Sequence, residues 1–404
     1  MNLWSKAENP VTGEQFENFL KYFNHAHNGT ADIEAFTKSE YGAEFARRLD
    51  IRFRLEVDPG GEAEQRYYAS LGLKKEYYET EDFYTRWFIV SPLSIPDGAL
   101  LPLIIANHGH GNPIEAEEYA FGFGDIAAKE GFMFAMAQNT NPENICRILG
   151  IIGEKYPVDM GRVYVAGYSQ GGQQVSELLM YAPELFAGAA PCGFDVFKTY
   201  DKFFNKYTKA QYEHLKDTFV PFMQVVGACE HLNLVPLSTW TPRKVWTAPA
   251  GEKSPRPEEP APKDIPRDPT DAYDGAGRKL PAPFESPGEG EDPTVWRLGM
   301  LNGRLRTLGC EERDEERCRA ILSGGGENEV QNILGIYADE ERTEYHYGYR
   351  HYVADIRNSE GFTAFRYVAV ENSPHWVPAS TAELIWDFFK HFRRDSVSGK
   401  IIEE

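Results

Sequence analysis

The chain predicts an α/β protein built on a doubly wound, mostly parallel sheet, and three features carry that reading. Apolar strand-like runs alternate with amphipathic stretches between residues 83 and 226. One run, Leu100 to Ala106 (LLPLIIA), is apolar throughout, as a strand buried on both faces requires. Strand texture then returns at Tyr345–Val353 and Phe362–Val370, ahead of an amphipathic stretch at Thr381–Phe392. Alternation of this βαβα kind wraps helices on both faces of a parallel sheet.

The elements follow in order. Residues 1–80 read as a mostly helical N-terminal accessory layer. Phe16, Phe19, Leu20 and Phe23 recur at helical spacing, and a second amphipathic stretch covers Tyr41–Leu49. Asp58-Pro59-Gly60-Gly61 is a turn. The core is expected over 81–235 and 343–404. Its strands are Phe83–Ser91, Leu100–Ala106, Phe132–Ala137, Arg162–Ala166, Ala187–Ala190 and Val220–Val226, then the two late ones. Helices are expected at Glu115–Lys129, Asn144–Lys155 and Gly171–Tyr181.

Between these parts, residues 236–342 form a large insertion before the last strand. Its first half, 242–293, holds 12 of the chain's 26 prolines among Glu, Lys, Asp and Gly. Such a composition buries too little apolar surface to order itself, so it reads as a draped loop. Helical patches at Val295–Leu308, Glu311–Leu322 and Glu329–Ile336 complete the insertion. It leaves the sheet at the carboxyl edge, so it is expected to form a lid or cap, with Trp240, Trp246 and Trp296 as candidate substrate contacts.

Composition excludes several classes. Of 404 residues, 62 are acidic and 42 basic, a net charge of −20. So acidic a surface repels phosphate backbones and anionic lipid heads, which argues against a nucleic-acid or membrane partner. No run reaches the roughly 18 apolar residues that span a bilayer. The start, MNLWSKAENP, has neither a basic nor an apolar leader region. The five cysteines form no CxxC pair and no even framework. A reducing cytoplasm is the expected compartment. Nothing predicts the oligomeric state.

Chemistry concentrates at Gly167-Tyr168-Ser169-Gln170-Gly171, which fits G-x-S-x-G. The strand RVYVA runs straight into it and a helical stretch follows. Strand, sharp turn and helix are what a nucleophile elbow needs, with glycines letting backbones pass close enough to expose the serine Oγ. The plain alternative is a Gly-rich turn with an N-capping serine.

A serine hydroxyl needs a base. His375, in Glu371-Asn372-Ser373-Pro374-His375-Trp376, follows the last predicted strand, where a parallel sheet exposes functional groups. The orienting acid belongs between serine and histidine in chain order. Glu230 follows the buried strand at 220–226, and Asp195 follows the strand before it; Asp195 is the alternative acid. Asn107-His108-Gly109-His110-Gly111-Asn112 follows the apolar strand and is similar to an HGGG-type oxyanion loop. The amides of Gln170 and His110 are the expected oxyanion donors, each worth about 3 kcal/mol of barrier. An H-x-H pair without a nearby Cys or acidic third ligand makes a poor zinc site, so no metal is expected.

Val163-Tyr164-Val165-Ala166-Gly167-Tyr168-Ser169-Gln170-Gly171-Gly172, preceded by Asp159-Met160-Gly161-Arg162, resembles the esterases of the polyhydroxybutyrate depolymerase and feruloyl esterase type. The HGHGN loop and the late SPHW before a helix are similar too. The likeness covers about 85–235 and 345–395. It implies an α/β-hydrolase fold, Ser169 as nucleophile, His375 as base and an acid after the strand preceding Glu230. The sequence departs from that pattern in using Glu for the commoner Asp, in lacking a secretory leader, and in placing about 110 residues between the acid and the final strands. The resulting expectation is a serine carboxylesterase that needs no cofactor and acts on a small-molecule ester. Its rivals are a serine peptidase on the same scaffold and a non-catalytic binding scaffold.

Overall fold

The computed structural model describes residues 16–18, 20, 21, 24, 29–55, 58–79, 85–193, 209–230, 235–237 and 292–403. Its centre is a ten-stranded sheet. In chain order the strands are β1 (Leu73–Tyr78), β2 (Trp87–Pro92), β3 (Leu101–Asn107), β4 (Met133–Ala137), β5 (Val158–Tyr168), β6 (Gly188–Cys192), β7 (Phe222–Gly227), β8 (Glu340–His346), β9 (Tyr349–Arg357) and β10 (Thr363–Val370). They lie in the order β1-β2-β4-β3-β5-β6-β7-β10-β9-β8. The run from β4 to β10 is parallel, and antiparallel pairs flank it on both sides.

Period-2 alternation sends the side chains of each central strand to two cores. Ile104, Ala106, Tyr164, Ala166 and Val368 face one core with the helices Glu40–Leu55, Phe123–Glu130 and Thr381–Phe389. Leu103, Ile105, Val163, Val165 and Phe222 face the other, against Pro142–Lys155, Gln170–Tyr181 and Pro293–Thr307. The sheet is thus covered on both faces, as the apolar run at Leu101–Asn107 demands.

Several boundaries differ from expectation, each for a local reason. The helix expected over 115–129 is two, Ile114–Phe121 and Phe123–Glu130, broken at Gly122 with φ 76°. The strand expected over 345–353 is a hairpin, since Tyr347 (φ 49°) and Gly348 (φ 73°) turn the chain between β8 and β9. The insertion therefore precedes three strands of the sheet rather than the two expected. Its described helical part packs on a flank of the sheet: Leu298, Leu301 and Leu305 enter the second core, and the Arg304 guanidinium lies 4.2 Å from the ring of Phe222, at the start of β7. The proline-rich stretch 242–291, Trp240 and Trp246 lie outside the described residues, as do Phe19 and Phe23.

β1 was not expected inside the mostly helical 1–80 layer. Its inward positions are Leu73, Lys75 and Tyr77, and a lysine at the centre hides the alternation. The buried Lys75 ammonium is met by Glu64 at 2.7 Å and by Glu118, and it lies 4.0 Å from the Phe88 ring centroid. Tyr68 and Tyr119 donate to Glu118 and Glu64. Burial pulls the Lys75 ammonium down to about 8 against the opposing pull of Glu64, and pushes the Glu118 carboxyl well above the ordinary carboxylate range. Removing one member of a buried ion group leaves the others uncompensated. Lys75→Met is expected to destabilise the fold by about 3–5 kcal/mol in urea unfolding, with partial recovery when Glu64→Gln is added.

Candidate active site

The site assembles where four parallel strands end. β3 ends at Asn107 and runs into the HGHGN loop; β5 ends at Tyr168, one residue before Ser169. β7 ends at Gly227, three residues before Glu230, and β10 ends at Val370, five before His375.

Ser169 sits at φ 53° and ψ −115°, a left-handed backbone that costs a non-glycine residue about 1–3 kcal/mol. Close backbone packing holds it there. A Cβ on Gly167 would lie 2.2 Å from the Gly171 carbonyl oxygen, and one on Gly171 would lie 2.3 Å from that of Asn107. Only bare backbone fits, which is why both glycines of the motif are present. The Ser169 amide donates to the Cys192 carbonyl at 2.9 Å, anchoring the turn to β6. The helix Gln170–Tyr181 then starts, and its first amides have no carbonyl four residues back to bond.

The structure brings Ser169, His375 and Glu230 together. Nε2 of His375 lies 3.1 Å from Ser169 Oγ, and its Nδ1 is hydrogen-bonded to Glu230 Oε2. Glu230 is fully buried and His375 nearly so. The other oxygen of Glu230 accepts from the Gly227 amide at 2.9 Å, which fixes the carboxylate plane. A Cβ on Gly227 would lie 2.2 Å from the Ser373 carbonyl oxygen, so the acid and histidine loops pass in direct contact. The Tyr168 hydroxyl donates to the His375 carbonyl at 3.0 Å, and the two rings lie 5.2 Å apart. Burial holds the His375 imidazole well below the ordinary histidine range, so it is neutral at rest. A neutral imidazole against a hydroxyl can accept its proton, and the adjacent carboxylate favours the cation that results. Asp195, the alternative acid, lies outside the described residues.

The loop after β3 is held from below. The Gly109 amide donates to Glu117 Oε2 at 3.2 Å, and Asn112 Nδ2 donates to the same oxygen at 2.6 Å. His108 is buried, its ring nitrogens each 2.9 Å from a carbonyl oxygen, that of Gly109 and that of Gln138. His110 is exposed, and its Nδ1 donates to Gln170 Oε1 at 3.1 Å, tying this loop to the turn that carries Ser169. Among the described residues no group of three His, Cys, Asp or Glu is gathered that could hold a metal ion. No described helix is long and apolar enough to cross a membrane. Sequence reasoning missed Glu117. Its signal was an acidic triplet, Glu115, Glu117 and Glu118, on a helix otherwise made of Ile, Ala, Tyr and Phe.

No protein-family model and no curated protein matches the sequence. Among solved structures, the chain is similar to the substrate-bound fluorophosphonate-binding serine hydrolase F of Staphylococcus aureus, at 13% identity and a TM-score of 0.31, over 38% of this chain and 78% of that one. The feruloyl esterase module of Clostridium thermocellum complexed with sinapinate is similar at 11% identity and 0.32, over 38% of this chain and 66% of the other. The acylaminoacyl peptidase of Pyrococcus horikoshii is similar at 12% and 0.30, over 42% and 35%. The chain thus spans less than two thirds of the length of the last two. The fold is that of the α/β-hydrolases, and it is the strand order and the turn after β5, not these distant likenesses, that establish it.

Proposed function

We propose that the protein is a serine carboxylesterase acting on a small-molecule ester. One observation carries the reading: a hydroxyl on a strained turn lies 3.1 Å from a buried imidazole whose other nitrogen is bonded to a buried carboxylate. In this reading His375 takes the Ser169 proton as Oγ attacks the ester carbonyl. The carbonyl oxygen becomes an oxyanion and accepts hydrogen bonds from the amides of Gln170 and His110. Collapse of the tetrahedral adduct breaks the bond to the alkoxy oxygen, which leaves with the proton held on His375. Water then repeats the sequence on the acyl-enzyme, returning a proton through His375 and releasing the acid. Glu230 orients the imidazole throughout and stabilises its charged form. The residues supply every proton transfer themselves. All five cysteines are unpaired, which supports a reducing compartment such as the cytoplasm.

Ester and amide substrates are separated by assay on p-nitrophenyl acyl esters beside chromogenic peptides. The expected outcome is turnover of the esters; cleavage of the peptides at comparable kcat/KM would make the protein a peptidase. Ser169→Ala is expected to keep the fold by circular dichroism, to lose covalent labelling by a fluorophosphonate, and to lower ester turnover by at least about ten-thousandfold. Full turnover in that variant refutes the mechanism.

The oxyanion loop offers a separate test. Glu117→Ala frees Gly109 and Asn112 from their shared acceptor and loosens the loop that offers the second amide. It is expected to lower kcat by about a hundredfold. Its affinity for a trifluoromethyl ketone transition-state analogue should fall in parallel, while KM changes little. Equal weakening of substrate and analogue would place the loss in ground-state binding instead.

A further inference from the structure

The relay depends on two loops that share no secondary structure, and a third segment from the far end of the chain lies across both. The Thr30 amide donates to the carbonyl of Cys229, the residue before Glu230, at 3.1 Å. Two residues on, the Asp32 amide donates to Asn372 Oδ1 at 2.6 Å, and Asn372 Nδ2 donates to the Asp32 carbonyl at 2.9 Å. One carboxamide thus pairs with both backbone groups of one residue, as a neighbouring strand would. The Asp32 side chain meanwhile accepts from the Ala35 amide at 3.0 Å and caps the helix Ile33–Thr37, so the tie begins where the helix starts.

Asn372 stands three residues before His375 with φ 45°, a left-handed backbone that asparagine tolerates better than most side chains. The next helix, Glu40–Leu55, packs on the same loop. Phe45 meets the Trp376 ring edge-on at 5.6 Å, and the Tyr41 hydroxyl lies 3.2 Å from Ser380 Oγ. The two loops also bond each other, from the Cys229 amide to the Ser373 carbonyl at 3.3 Å. The segment Thr30–Asp32 closes that pair into a ring of hydrogen bonds through Cys229, Ser373 and Asn372, one residue from Glu230 and two from His375 in the chain.

We propose that Asn372 is a positioning residue, whose carboxamide clasps the Asp32 backbone and so locks the segment Thr30–Asp32 across the loops carrying Glu230 and His375. The inference rests on the hydrolase reading, because what the clasp sets is the distance from imidazole to hydroxyl. Small misplacement of a base is costly: about 1 Å can lose a hundredfold in rate. Asn372 is outside the proton relay, so its loss acts on kcat and leaves substrate affinity alone.

The full chain tests this. Asn372→Gly keeps the left-handed backbone and deletes both bonds, whereas Asn372→Asp keeps the acceptor for the Asp32 amide and loses the donor. Turnover of p-nitrophenyl acetate is measured per fluorophosphonate-titrated site, with melting curves to confirm folded protein. Asn372→Gly is expected to lower kcat about tenfold with KM within twofold, and Asn372→Asp to fall between it and wild type. Thr30→Pro, which removes the amide bonded to Cys229, should lower kcat similarly, and the double variant by no more than the larger single effect. A fall in kcat per site below threefold in Asn372→Gly overturns the proposal, as does a loss confined to KM or to the melting temperature. A wild-type protein that neither labels nor hydrolyses overturns the hydrolase reading and this inference with it.

Discussion

The reactive rim depends on how closely the turn after β5 lies on the carbonyls that end β3. Gly171 rests against the oxygens of Asn107 and His108, at a spacing where any Cβ would collide. That approach forces the left-handed backbone at Ser169 and starts the next helix at Gln170. It also sets where the loop after β3 begins relative to the serine. The strain is local, and the two cores beneath it hold β3 and β5 in register along most of their length. A flat or loosely packed sheet could not hold the turn in that shape.

Burial then governs the electrostatics. An imidazole sealed from water resists protonation, and one bonded to a carboxylate favours it. His375 experiences both, because Glu230 is buried beside it and fixed by the Gly227 amide. The resting state is neutral through desolvation, while in the proposed reaction an imidazolium at His375 would find a counter-charge already oriented. Preorganisation of this kind needs no reorientation of solvent at the moment of reaction. The contact between Gly227 and the Ser373 carbonyl keeps acid and base within bonding reach even though 145 residues separate them in the chain.

The sequence made the centre of the molecule legible and its margins much less so. The parallel strands could be read because each is an apolar run, and the elbow because its glycines have a steric reason to be there. Glu230 and His375 were readable from chain order and from their places after strands. β1 was not, since Lys75 occupies an inward position that a periodicity argument assigns to an apolar side chain. The β8–β9 hairpin was read as one strand because its turn, Tyr347-Gly348, carries an aromatic residue where Asn or Asp is usual. Glu117 and Asn372 were missed for other reasons. Asn372 pairs with the backbone of Asp32, 340 residues away, which no local pattern encodes; Glu117 accepts from the Gly109 amide and the Asn112 side chain, eight and five residues away, and only its acidic triplet marked it.

The lysine that obscured β1 has a further effect on how the sheet can be assembled. Adjacent residues of a strand face opposite ways, so sliding β1 by one position would turn Lys74 and Glu76 inward and Lys75 to solvent. The two acids below are placed for one ammonium, not for an ammonium and a third carboxylate. An all-apolar strand would have tolerated several alignments on the edge formed by β2. This one carries a charge that fits a single berth, and so trades some tightness of packing for an unambiguous alignment.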